Sequence, residues 1–217
     1  MAERVPVAVF ISGSGTNMAA LLYASRAADC PYEIVLVLSN NPDASGLKLA
    51  EAEGVATFCL PHKGISRAEH DALMEAEVVK SGARYIALAG YMRILSPEFA
   101  ARWEGRMLNI HPALLPSYKG LHTHERALAD GVKIHGCTVH FVVPEMDSGA
   151  IVVQAAVAVR DDDTPDALAA RVLAQEHVIY PRALAWLASD RLAVANGRVR
   201  LNNASADEAA LVAPATT

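Results

Sequence analysis

The chain has 217 residues, 53% of them hydrophobic, and a formal net charge of −5 at pH 7. That length supports one large domain or two small ones around a core that needs no metal or crosslink; one domain over 1–202, followed by a loose Ala-rich polar tail over 203–217, is the simpler expectation. The charge comes without a Lys/Arg cluster, which excludes the electrostatic footprint of sequence-independent nucleic-acid binding and favours small-molecule partners.

Met1-Ala2-Glu3-Arg4 leads straight into an apolar run with no small-residue cleavage site, so neither a secretory signal nor a transit peptide is evident. No apolar run approaches the roughly 20 residues of a bilayer span, and a soluble, cytoplasmic protein with no membrane partner is expected. Cys30, Cys59 and Cys137 are widely spaced and odd in number, which suggests neither a disulfide framework nor a zinc knuckle.

In chain order, the runs Val5 to Ile11, Glu33 to Ser39, Val55 to Leu60, Arg84 to Ala89 and Met107 to Ile110 read as strands separated by helical patterns. That alternation predicts an α/β fold, an open, mostly parallel twisted sheet with helices on both faces, because parallel strands need helical crossovers and are covered on both sides. Ser66-Arg67-Ala68-Glu69 fits a capping box, and Gly82 sits where the helix that follows should stop. After residue 131 two more strands, Ile134 to Val142 and Ala150 to Val159, flank the turn-rich segment 144–149 and should pair antiparallel at one side of the sheet. Thr164-Pro165 opens a helix to about Ser189, with Pro181 a candidate kink, and a hairpin over Arg191 to Leu201 turns at Asn196-Gly197.

The first strand runs into Ser12-Gly13-Ser14-Gly15-Thr16-Asn17 and then into a helix. Glycines at such a turn let backbone N–H groups approach an anion, and the helix N-terminus adds its positive dipole end. Met18 stands at the third small position of a dinucleotide fingerprint, no Gly-Lys-Ser/Thr ending is present, and the second strand ends in Asn40-Asn41 rather than an acidic ribose ligand. A monophosphate fits better than a dinucleotide, while a tight turn with no ligand is the competing reading.

Asn109 and His111 stand two residues apart at the end of an apolar strand, so they share one face. Ligands in open parallel sheets bind beyond the carboxyl ends of the strands, where the Gly13-Gly15 loop must also lie. An amide and an imidazole in one cleft suit acyl transfer, because both can hydrogen-bond the oxyanion formed when an amine attacks a carbonyl. Gly-x-Ser-x-Gly is absent, so no covalent acyl-enzyme is suggested. Individually, Asn109 also fits a turn cap, His111 a core histidine, and Asp147 an ordinary surface turn. His122, His124, His135 and His140 match no standard zinc spacing, and no metal is expected.

Four ordered blocks resemble the folate-dependent formyltransferases over nearly the whole chain: Ile11 to Asn17, Leu88 to Ser96, Asn109-Ile110-His111-Pro112 through Gly120-Leu121-His122-Thr123-His124, and Val139 to Val142 through Asp147-Ser148-Gly149. The resemblance implies a Rossmann-like formyltransferase fold, 10-formyltetrahydrofolate as co-substrate without a metal, and formyl transfer to the amine of glycinamide ribonucleotide in purine synthesis, by a monomer or homodimer. It makes Asn109, His111 and Asp147 the catalytic set, with His122 supporting Asp147 from behind. Gly13, Ser14, Gly15, Thr16 and Asn17 would hold the ribonucleotide phosphate, and Glu176 its glycinamide end. Arg67, Met92, Arg93, Ile94, Leu95, Asn109, Val143, Pro144, Glu145, Met146 and Asp147 would line the folate cleft. Thr16 stands where the family often has Ser, which keeps the hydroxyl, and Val143 to Met146 is a less acidic loop than usual, a change aimed at folate affinity.

Three other activities compete. A formyltetrahydrofolate deformylase would use the same polar residues but usually adds an N-terminal regulatory domain, and a tRNA formyltransferase usually adds a basic C-terminal domain; with a strand starting at Val5 and a short remainder after the hairpin, neither is expected. A non-catalytic nucleotide-binding module would bind without turnover.

Overall fold

The computed structural model describes residues 3–204 and 213. Its elements run β1 (Val5–Ile11), α1 (Thr16–Ser25), β2 (Tyr32–Ser39), α2 (Ser45–Ala52), β3 (Ala56–Cys59), α3 (Arg67–Lys80), β4 (Tyr85–Leu88), α4 (Pro97–Arg102), β5 (Met107–His111), α5 (Thr123–Ala129), β6 (Ile134–Phe141), β7 (Ile151–Ala158), α6 (Pro165–Ala188), β8 (Leu192–Ala195) and β9 (Arg198–Leu201). The tail expected over 203–217 lies, beyond Ala204 and apart from Ala213, outside the described residues.

β1 to β7 form one seven-stranded sheet in the order β3-β2-β1-β4-β5-β6-β7, and β8 and β9 pair apart from it. β3 through β5 in that order are parallel, whereas β6 runs antiparallel to both β5 and β7. The antiparallel pairing of β6 with β7 at the sheet edge agrees with the sequence, as does the parallel α/β architecture. At the β8–β9 turn Asn196 and Gly197 have φ of +53° and +70°, the left-handed pair that a type I′ turn requires.

Alternation along β1 builds the core on both faces. Val7, Val9 and Ile11 pack with α1, α2 and α6, while Ala8 and Phe10 pack with α3 and α4; all five side chains are fully buried. α6 binds the sheet through Tyr180, whose hydroxyl sits 2.9 Å from the Leu88 carbonyl of β4 and 3.1 Å from the Leu108 carbonyl of β5.

The caps follow the sequence. Ser66 accepts from the Glu69 amide at 3.2 Å at the start of α3, and Gly82, at φ +75°, follows its C-cap. Thr164 accepts from the Ala167 amide ahead of Pro165, and α6 continues past Pro181 to Ala188. The sequence reading does not delimit α2, α4 or α5, which are eight, six and seven residues long. Among the described residues no helix is long and apolar enough to cross a membrane.

Candidate active site

The order of chain crossings reverses between β1 and β4, which opens a crevice beyond their carboxyl ends. The loop leaving β1 and the segment leaving β4 meet there around a cavity of about 230 Å³ lined by Ser12 to Asn17, Ala89, Gly90 and Met92. Gly15 caps α1 at φ +72°, and a Cβ at Gly46 in the first turn of α2 would press on Ile11, the Gly15 backbone and the Gly13 carbonyl. The glycine loop is therefore drawn tight against α2, with the Gly46 amide donating to the Gly13 carbonyl at 3.1 Å.

A second cavity of about 930 Å³ adjoins it and shares Asn17, Gly90 and Met92 with it. Asn109, His111 and Asp147 line this larger space together with Met92, Arg93, Ile94 and Leu95 on one wall and Val143, Pro144, Glu145 and Met146 on another. Met92, Ile94, Leu121 and Met146 expose much of their apolar surface to it. Glu176 also lines it, and its carboxylate accepts from Asn17 Nδ2 at 2.6 Å. Burial pushes the Glu176 carboxyl above the usual carboxylate range, and the Asn17 hydrogen bond pulls partly the other way.

β5 sets the polar pair, since Asn109 and His111 follow the pleat onto one face, and the β5–β6 register places His140 directly across from Asn109. Asn109 Nδ2 lies 3.1 Å from His140 Nε2, and His140 Nδ1 lies 2.8 Å from the Phe141 carbonyl. Burial lowers the His140 imidazole below the ordinary histidine value, with opposing help to the proton from the Phe141 carbonyl. A neutral ring donating from Nδ1 to that carbonyl leaves Nε2 to accept from Asn109, which assigns the orientation of the amide and leaves its second N–H for a ligand.

His111 donates from Nε2 to the Tyr118 carbonyl at 2.9 Å and turns Nδ1 to Asp147 Oδ2 at 3.5 Å. Asp147 in turn accepts from the Gly120 amide at 2.9 Å and stands 3.8 Å from His140 Nε2. The three polar residues singled out in the sequence are thus gathered in one group, and His140 completes it. Sequence reasoning placed His140 in the block Val139 to Val142 and among histidines without zinc spacing but gave it no catalytic role; the strand register that sets it opposite Asn109 is visible only in the fold.

Two expected positions differ. His122, in a left-handed conformation at the start of α5, lines the larger cavity but is exposed, with its Nδ1 3.5 Å from Glu125 Oε1; no hydrogen bond or ion pair among the described residues joins it to Asp147. Arg67 is the first residue of α3, exposed, and outside the lining of both cavities.

The chain belongs to the formyl transferase family, whose model matches residues 5–184. A phosphoribosylglycinamide formyltransferase of Escherichia coli (strain K12) is 43% identical to it over 187 residues, 86% of this chain and 88% of that protein. The trifunctional purine biosynthetic protein adenosine-3 of Gallus gallus is 46% identical over 193 residues, 88% of this chain, which spans only 19% of that longer relative. Among solved structures, glycinamide ribonucleotide transformylase 1 from Symbiobacterium toebii superposes with a TM-score of 0.90 at 40% identity, covering 94% of this chain and 96% of that one. A formyltetrahydrofolate deformylase from Pseudomonas syringae pv. tomato shares the fold at a TM-score of 0.87 but only 25% identity.

Proposed function

We propose that this chain transfers the formyl group of 10-formyltetrahydrofolate to the amine of glycinamide ribonucleotide, a step of purine synthesis, with residues 1–202 acting as one unit. The observation that carries this reading is the joined pair of cavities: a small one at a glycine loop and a large apolar one, with an amide, an imidazole and a carboxylate in the larger. The smaller suits a phosphate on the loop amides and the α1 N-terminus. The larger suits an extended, partly aromatic carrier, and its size falls in the range of small-molecule sites. Relatives named for this reaction match most of the chain, which supports the choice of substrates over hydrolysis of the same folate.

In this reading the glycine loop takes the ribonucleotide phosphate through Gly13, Ser14, Gly15, Thr16 and Asn17, and Glu176 receives the glycinamide end. The folate lies between Met92 to Leu95 and Val143 to Asp147. The uncharged amine attacks the formyl carbon directly, and Asn109 Nδ2 and an N–H of His111 hold the oxyanion of the tetrahedral adduct. The Nδ1–Asp147 contact, 3.5 Å long here, is the one that tightens in the reacting complex, where Asp147 pairs with His111, as catalytic contacts often do. Asp147 then takes part in moving the proton lost by the amine toward the departing folate nitrogen.

Loss of one oxyanion donor costs on the order of 10²–10³ in turnover. Asn109→Ala and His111→Ala should each show that loss in steady-state formylation while circular dichroism and melting behaviour stay near those of the parent chain. Full turnover in either variant would remove that residue from the reaction.

A further inference from the structure

Three consecutive residues of one turn reach the polar group from behind. The Tyr118 carbonyl accepts from His111 Nε2 at 2.9 Å, and the Gly120 amide donates to Asp147 Oδ2 at 2.9 Å. Between them Lys119 Nζ donates to Ser148 Oγ at 2.6 Å, and Ser148 Oγ donates onward to the Met146 carbonyl at 3.1 Å. Arg126 Nη1 holds the Lys119 carbonyl from α5 at 2.7 Å. Lys119 and Ser148 are both half-buried, so their charge-assisted hydrogen bond is less screened than one at the open surface.

The turn that Lys119 grips needs holding. Asp147 has φ of +50°, a left-handed conformation costly for a residue with a Cβ unless its surroundings impose it. Two residues on, Gly149 packs so closely that a Cβ there would strike the Phe141 carbonyl. The turn is thus pressed onto β6 at one end and bent at Asp147, while Met146 is exposed. Burial, above all, lowers the His140 imidazole, and the Lys119 charge pushes the same way.

We propose that Lys119 is a positioning residue: through Ser148 it locks the turn 146–149 onto the 112–122 loop and so keeps Asp147 facing His111. The proposal rests on the catalytic reading of these residues given above. Lys119 lies outside the lining of both cavities; it fixes a carboxylate whose misplacement slows the chemistry more than it weakens binding.

Lys119→Met, which keeps the stem and removes the donor, and Ser148→Ala, which removes the acceptor, are therefore expected to lower kcat roughly 10- to 100-fold, with KM for the ribonucleotide unchanged and KM for the folate, whose cleft wall includes Met146 and Asp147, changed less than kcat. The double variant should lose no more than either single one, because both break the same contact, and Lys119→Arg should recover most of the loss. Unchanged kcat, additive losses, or a loss confined to KM would overturn the proposal. Amide hydrogen exchange on the unliganded protein gives a readout independent of turnover: residues 146–149 should exchange faster in both variants while β1 and β5 keep their protection. If the parent chain failed to formylate, the functional reading would fall, yet faster exchange at 146–149 would still support the clasp and unchanged exchange would still overturn it. Should Lys119→Met not fold, Ser148→Ala carries both arms.

Discussion

Asn109 donates to a histidine that burial keeps neutral, so a ring to which the sequence reading gave no catalytic role governs how the amide points. His140→Phe keeps the bulk and removes the acceptor. Asn109 would then be free to flip, and turnover should fall toward that of Asn109→Ala, up to the order of 10²–10³. Steady-state kinetics of the two single variants and the double would check this, with a double variant no worse than Asn109→Ala expected. Asn109 and His111 were legible in the sequence because period two and an end-of-strand position put polar groups where ligands bind, whereas Asp147, in a turn, was singled out by the family resemblance alone. His140 was not legible, since strand register decides which residue lies opposite Asn109. For His122 and Arg67 a motif fixes the place in the chain, while the left-handed start of α5 and the exposed first turn of α3 are read only from the fold.

At the scale of elements, β6 and the loop from 112 to 124 share buried imidazoles. His135 is 1% exposed, with the ring of His124 at 5.3 Å and that of Tyr118 at 5.7 Å. Burial, reinforced by His124, pushes His135 down to about 4, and burial also lowers His124 and His140. These groups take up protons more readily unfolded, near the ordinary value of about 6.5. Stability they provide is therefore complete above that value and is lost as the pH falls from there toward about 4. Urea denaturation at a series of pH values should show this decline, and His135→Phe should flatten it; an equal decline in the variant would assign the acid sensitivity elsewhere.

α2 illustrates what the sequence withheld. Its eight residues give barely two turns of periodicity, and α4 and α5 are shorter still, whereas the long strand runs and the 24-residue α6 announced themselves. Nothing local says that Gly46 must be small; the requirement comes from the glycine loop packed against it. Gly46→Ala should displace that loop and raise KM for the ribonucleotide more than KM for the folate, which initial-rate measurements would resolve. An equal rise in both would mean that the loop does not serve one substrate.

Across the whole molecule, two apolar faces of one sheet hold a crevice open at the point where its strand order reverses. Tyr180 ties α6 to β4 and β5 just below that crevice, fully buried. Tyr180→Phe would remove the one buried donor that the two carbonyls share and should cost about 1–3 kcal/mol in denaturant unfolding. The parallel sheet and the location of the site beyond its strands were legible from alternation alone. The antiparallel turn of β6 against β5, which brings His140 to Asn109 and lets the 143–150 loop return over the site, depends on contacts between distant segments.

The account stands on transfer between two bound substrates. Purified protein incubated with 10-formyltetrahydrofolate, with and without glycinamide ribonucleotide, should release tetrahydrofolate only when the ribonucleotide is present, in step with formylated product. Release without the ribonucleotide would indicate a deformylase, and binding of both without release would make the chain a non-catalytic module; either result would contradict it.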